Sequence, residues 1–139
     1  PSVRASAAAA IGELDDKKAL PYLFRNLNSN DPIHTRHSFV YAITQIGGSV
    51  EISSYLSDNK YPFRQLIALR VLASLDNDLD SKKVIPLLRS ADSNVRQEAR
   101  RLISSRKDMR EEIIKMFKDI LKEEDLRLTN KELIEGILS

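Results

Sequence analysis

Apolar residues recur along this chain at helical spacing, and the pattern itself recurs. Val3, Ala7, Ala10, Ile11 and Leu14 fall at i, i+4, i+7, i+8 and i+11, which predicts an amphipathic helix over residues 1–14. Arg4, Arg36, Arg64 and Arg96 lie 32, 28 and 32 residues apart. The same offsets carry Ala7 to Phe39, Ile67 and Ala99, and Ile11 to Ile43, Val71 and Ile103. Three columns held in one register indicate a repeated unit.

Shorter apolar segments lie between these helices. In 16–27, Leu20, Leu23, Phe24 and Leu27 share a face; in 49–56 Ile52, Tyr55 and Leu56 do so; in 81–88 Val84, Ile85, Leu87 and Leu88. Pro21 and Pro86 sit in the first turns of two of these segments, where a missing amide hydrogen costs little. Asp31-Pro32 is expected to open the second unit, with Asp31 as N-cap, and Gly47-Gly48 to end its first helix. Towards the C-terminus a helix over 109–121 carries Ile113, Ile114, Phe117, Ile120 and Leu121 on one face and pairs Glu111 with Lys115 on another. Thr129-Asn-Lys-Glu132 has the form of a capping box opening one more helix.

A helical hairpin of this kind is too thin to bury its own apolar face, whereas stacked hairpins make one continuous core. The expected fold is therefore all-α: a right-handed α-solenoid, or armadillo-like superhelix, of about four hairpins plus a C-terminal helix. Its units fall at about 1–29, 30–58, 59–90 and 91–123, with the last helix at 129–138, in a single repeat domain. First helices would form the convex layer and second helices the concave one.

Composition narrows the chemistry. The 139 residues are 42% hydrophobic and 30% charged, with a net charge of +2, so nothing demands an acidic partner. With no cysteine, disulfides, thiolate metal sites and Cys nucleophiles are excluded within this sequence. No run of 18 apolar residues is present to span a membrane. Opening on Pro1 directly in a helical pattern, the chain is expected to be cut from a longer protein.

Val3-Arg4-x-x-Ala7-x-x-Ala10-Ile11-Gly12-x-Leu14, followed by Ala19-Leu20-Pro21-x-Leu23, resembles HEAT repeats, especially the short bacterial kind named after phycobilisome lyases. Val95-Arg96-x-x-Ala99-x-x-Leu102 is similar again, and the resemblance covers roughly residues 1–121. The second unit departs from the pattern, with Thr35-Arg36 for the Val-Arg pair and Ser53 where Pro is expected. Arg36-His-Ser-Phe-Val-Tyr-Ala-Ile43, Phe63-Arg64 and Leu79-Asp-Ser-Lys-Lys-Val-Ile-Pro-Leu-Leu88 also resemble the helical-repeat region of large dehydrogenase-like proteins of planctomycetes and related bacteria. Those join a β-propeller, HEAT repeats and a c-type haem domain. That resemblance implies a periplasmic docking or spacer segment with the redox chemistry elsewhere; without it a cytoplasmic location is expected.

The candidate sites are few. The arginine column suits inter-repeat lacing, each Arg lying close behind a turn carrying Asp31, Asn59 or Asp92. His34 and His37 lack a carboxylate at a matching helical offset, so no metal is expected there. His37 and Tyr41, one turn apart, are read as a packed polar contact. Asp76, Asp78 and Asp80 have the start of a calcium loop, but Ser81 stands at its sixth position and Leu87 at its twelfth, so a helix-capping loop is expected. The segment 96–127 holds ten basic and eight acidic residues, the interspersed signs of a solvated surface. HEAT-like folds include alkylpurine DNA glycosylases; the absence of Trp and the near-neutral charge disfavour a nucleic-acid role here.

The expected function is that of a non-catalytic protein-binding scaffold without cofactor, engaging a protein partner or neighbouring domains of the same chain. Its contact residues would be Tyr22, Arg25, Asn26, Lys82, Arg89, Lys115 and Lys118 on the second helices, with Tyr22 and Arg25 as anchors.

Overall fold

The computed structural model describes residues 2–75 and 79–138, and only the backbone of Ser2, Thr129, Glu132, Leu133, Ile134 and Leu138. The fold is all-α: among the described residues there is no strand. The chain divides into two compact units, Pro1–Leu102 and Ile103–Ser139.

In the first unit, long helices alternate with short, broken ones. α1 (Ser2–Glu13) is followed by a 3₁₀ turn, Lys17–Ala19, and α2 (Leu20–Asn26). α3 (Ile33–Ile46) leads to α4 (Ser49–Ser53), which continues as a 3₁₀ segment, Ser54–Ser57. α5 (Pro62–Ser74) leads to α6 (Ser81–Val84), continued as 3₁₀ over Ile85–Arg89. Pro86 sits in the first turn of that 3₁₀ segment and has no amide hydrogen to extend the α ladder. α7 (Ser93–Ser105) crosses the boundary between the units.

α1 packs mainly on α3, and α3 on α5; the shorter α2 packs on α3, while α4 and its 3₁₀ extension pack on α5. α5 is the most enclosed helix, with Gln65 to Leu69, Val71 and Leu72 all buried. Phe39, Ala42, Ile43 and Ile46 of α3, Ile52 and Leu56, and Val84 and Leu87 are buried as well. Each large aliphatic or aromatic side chain so buried contributes about 1.5–3 kcal/mol of transfer free energy. Phe24 of α2 stacks on Tyr55 at 3.8 Å between ring centroids, joining two of the short segments.

Several sequence expectations are displaced. The buried positions of α1 are Ala8 and Gly12, not the stripe of Val3, Ala7, Ala10 and Leu14, which is exposed; only Ile11 of that set is half-buried. The reason is the close approach of α3. A Cβ on Gly12 would stand 2.9 Å from Ala42 Cα, so the helices meet along the face with the smallest residues. Asp31 is not the N-cap of α3: Pro32 occupies that position without a side-chain cap, and Asp31 is taken by Arg4. Gly47 and Gly48 do close α3 and open α4, at φ of 69° and 83°, backbone that a Cβ would strain.

In the second unit, α8 runs unbroken from Lys107 to Leu138. The expected breaks after residue 121 and before residue 129 do not occur, and Thr129–Glu132 lie inside the helix rather than at its start. Neither proline nor glycine interrupts residues 107–135, so helix propensity carries the chain through. Glu111 pairs with Lys107 at 3.7 Å, in place of the expected Lys115. Ile103 and Met109 are buried and Ile113 is half-buried; Ile114, Phe117, Ile120 and Leu121 are exposed.

Candidate functional site

The four arginines of the repeated column do not share one environment. Arg4 donates to Asp31 Oδ1 and to the Asn26 carbonyl, and its guanidinium lies 5.4 Å from the Phe39 ring centroid. Arg64 reaches back to the Arg25 carbonyl at 3.4 Å and stacks 3.9 Å from the Tyr61 ring centroid. Arg96 stays local, donating to the carbonyls of Ser90 at 2.7 Å and Ala91 at 3.0 Å. Arg36 buries its Nε with no hydrogen-bond partner. The turn residues expected to receive them act otherwise in two cases: Asn59 accepts from Gln65, and Asp92 caps α7 by accepting from the amides of Asn94 and Val95.

Of the expected contact residues, Tyr22, Arg25 and Asn26 sit together on α2. Tyr22 is 64% exposed, the Arg25 guanidinium lies 5.9 Å from its ring centroid, and Asn26 Nδ2 donates to the Tyr22 carbonyl. Lys115 and Lys118 are exposed on α8, in the second unit. Lys82 and Arg89 are brought together at a cleft.

This cleft, of about 610 Å³, lies in the first unit between two short segments. One wall is α4 with its 3₁₀ extension, giving Ser53, Ser54, Leu56 and Ser57; the other is α6 with its extension, giving Lys82, Lys83, Pro86, Leu87 and Arg89. Asn59, Pro62 and the turn Ser90–Asp92 close the ends. Its size is within the range of sites that take a small ligand or a short stretch of chain.

The polar groups of the cleft are committed unevenly. Ser53, Ser54 and Ser57 each donate to a carbonyl three residues earlier, so their hydroxyl hydrogens are turned to their own helix. Asn59 Oδ1 accepts from Gln65, Ser90 Oγ from the Asp92 amide, and Asp92 Oδ1 from two amides of α7. Lys83 Nζ donates to Ser53 Oγ at 3.0 Å, tying the walls together. Lys82 and Arg89, both exposed, have no acidic partner among the described residues. Two cationic donors remain open, and the one lining carboxylate, Asp92, is engaged by two amides of α7, so the cleft favours an anionic occupant.

The sequence analysis names Lys82 and Arg89 as contact residues but does not place Lys83, Ser53 and Asn59 beside them in one cleft. The signal available was the departure at Ser53: where a Pro is expected the chain has a hydroxyl, and that hydroxyl receives Lys83. Buried Gln65 was also missed. Its Nε2 donates to the Leu56 carbonyl and to Asn59 Oδ1, both at 2.9 Å, fixing the end of the cleft wall.

Nearby titratable groups serve packing. Burial pushes the Tyr55 phenol above its ordinary value, with the Asp58 charge adding to the rise and the Arg64 and Arg25 charges opposing it. Glu98, nearly buried, accepts two hydrogen bonds from Arg101 and lies 3.7 Å from Arg70. That hydrogen bonding, then the Glu98 charge, raises the Arg101 pKa further.

His34 and His37 are exposed on α3, and no hydrogen bond or ring contact joins His37 to Tyr41, which is also exposed. Among the described residues no cluster of His, Cys, Asp or Glu has the grouping to hold a metal. Of the aspartates with the start of a calcium loop, Asp76 and Asp78 lie outside the described residues; Asp80 caps α6, accepting from the Lys82 amide. No described helix is long and apolar enough to cross a membrane. Compared with protein-family models, curated proteins and solved structures, the chain matches none.

Proposed function

We propose that this chain is a non-catalytic protein-binding scaffold, built as a HEAT-like α-solenoid whose short second helices carry the contact surface. Supporting the solenoid reading are the long-helix, broken-helix alternation and the packing of α1 on α3 and α3 on α5. A stack of this kind buries its core between neighbouring hairpins and leaves the short segments as an extended binding face. In this reading Arg4 and Arg64 lace the hairpins, since each reaches a residue at least 22 positions away in sequence.

The observation that carries the functional reading is the cleft between α4 and α6, lined by Lys82 and Arg89, which have no acidic partner among the described residues. Tyr22 and Arg25 add a second cluster on the same class of segment, of residue types that often anchor interfaces. The test is affinity capture from an extract of the source cell with four baits: wild type, Tyr22→Ala/Arg25→Glu, Lys82→Glu/Arg89→Glu, and a Lys122→Glu/Arg127→Glu control at exposed positions of α8. Helicity is checked for each. A protein recovered by wild type and by the control but lost with either second-helix variant is the expected result. Equal recovery by all four baits overturns the reading.

A further inference from the structure

We propose that the cleft between α4 and α6 binds an extended acidic peptide segment, with carboxylates held by Lys82 and Arg89 and an apolar side chain between them. The proposal rests on the scaffold reading and names the partner chemistry of that face.

Charge is the first argument. Three cationic side chains line the cleft against one carboxylate, and that carboxylate, Asp92, is engaged by the amides that begin α7. Lys83 is held by Ser53, leaving Lys82 and Arg89 as the open donors. The serine hydroxyls have given their hydrogens to their own carbonyls, so they add no donor to compete with the two cations for an anionic group. An anionic group therefore gains more here than a neutral polar one.

Spacing is the second. Lys82 and Arg89 are seven residues apart on a segment that passes from α to 3₁₀, which places their backbones about 10–14 Å apart along the axis. One phosphate or carboxylate cannot meet both. An extended chain rising about 3.3 Å per residue spans that distance in about three or four residues. Two carboxylates at such a separation match the two donors.

The apolar lining is the third. Leu56, Pro62, Pro86 and Leu87 line the same cleft as the cations. A side chain from the middle of the bound segment would cover them. The lining has no aromatic ring, so it offers no stacking platform for bases, which argues against single-stranded nucleic acid.

The test measures fluorescence polarisation of a labelled Glu-Glu-Leu-Leu-Glu-Glu peptide at low ionic strength, with Gln-Gln-Leu-Leu-Gln-Gln as the neutral probe. Two variants with equal change in net charge are compared: Lys82→Glu/Arg89→Glu in the cleft and Lys122→Glu/Arg127→Glu on α8. The cleft variant is expected to weaken the acidic peptide at least about tenfold, and the α8 variant far less. Wild type is expected to bind the neutral peptide at least about tenfold more weakly, and added salt to erode acidic-peptide binding. Should Lys82→Glu/Arg89→Glu lose helicity, Lys82→Gln/Arg89→Gln replaces it, with Lys122→Gln/Arg127→Gln as its charge-matched control. Equal weakening by both variants means diffuse charge attraction and overturns the proposal. So does equal affinity for the two peptides, or displacement of the acidic peptide by a single-stranded oligonucleotide of matched charge at lower concentration. Acidic-peptide failure alongside capture of a protein that depends on Lys82 and Arg89 would overturn this inference and leave the scaffold reading standing.

Discussion

At Gly12 one absent methyl group sets how close two helices come. The position is helical, so alanine would favour the helix itself by about 1 kcal/mol. Its Cβ, however, would stand 2.9 Å from the backbone Cα of Ala42 and 3.0 Å from the Ala42 Cβ. Backbone cannot rotate away as a long side chain would, so α1 and α3 must separate, and overpacking of this kind costs about 1–3 kcal/mol. The two effects oppose each other, and the contact with backbone should win. Gly12→Ala is expected to lower the urea midpoint with little change in slope. A raised midpoint would mean that α1 does not lie this close to α3. Gly136, with open space around its position, shows the contrast within the same chain.

At the scale of elements, helix ends and faces were the part of the sequence hardest to read. Asp31 and Asp92 both precede a long helix and both look like N-caps, yet only Asp92 accepts from amides of the helix that follows. Asp31 is captured by Arg4, 27 residues earlier, a competition no local pattern reveals. Asp92→Ala should therefore cost about 0.5–2 kcal/mol through the lost cap. In Asp31→Ala the loss should instead depend on Arg4: the effects of Asp31→Ala and Arg4→Ala should be strongly non-additive, with no such coupling between Asp92→Ala and Arg4→Ala. Additivity for Arg4 with Asp31 in a double-mutant cycle would show the pair to be unimportant. The existence of the long helices and the apolar sets Leu20/Leu23/Phe24 and Ile52/Leu56 were legible, because 3.6-residue periodicity directly records which face is buried. The face of α1 was not, since a run of alanines carries almost no periodic contrast and the deciding residue was a glycine. The unity of α8 was hidden for another reason: Thr129–Glu132 matches a capping box, but nothing before it stops the preceding helix. At the cleft, Lys82 and Arg89 were legible as second-helix cations, whereas Lys83, Ser53 and Asn59 depend on two segments 30 residues apart meeting.

At the scale of the whole molecule, burial is distributed very unevenly, and this has a measurable consequence. α5 buries Gln65 to Leu69, Val71 and Leu72, whereas every described side chain of α8 from Phe117 to Leu128 is exposed. A helix segment without tertiary packing keeps only its propensity and its i, i+4 pairs, and isolated helices of this length are marginal in water. The sequence there sustains helix but leaves its apolar side chains, Phe117, Ile120, Leu121, Leu126 and Leu128, exposed. Amide hydrogen exchange should therefore divide the molecule. Amides of α5 should exchange only through the largest opening reactions, with protection near the global unfolding free energy. Those of residues 117–128 should exchange through local fraying, several orders of magnitude faster and with little dependence on low concentrations of denaturant. The measurement is exchange followed by mass spectrometry of peptides from both helices, repeated over a protein concentration series. Protection in 117–128 equal to that of α5 at all concentrations would contradict the exposure of that segment. Protection that grows with concentration would assign Phe117, Leu121 and their exposed apolar neighbours to a contact between copies.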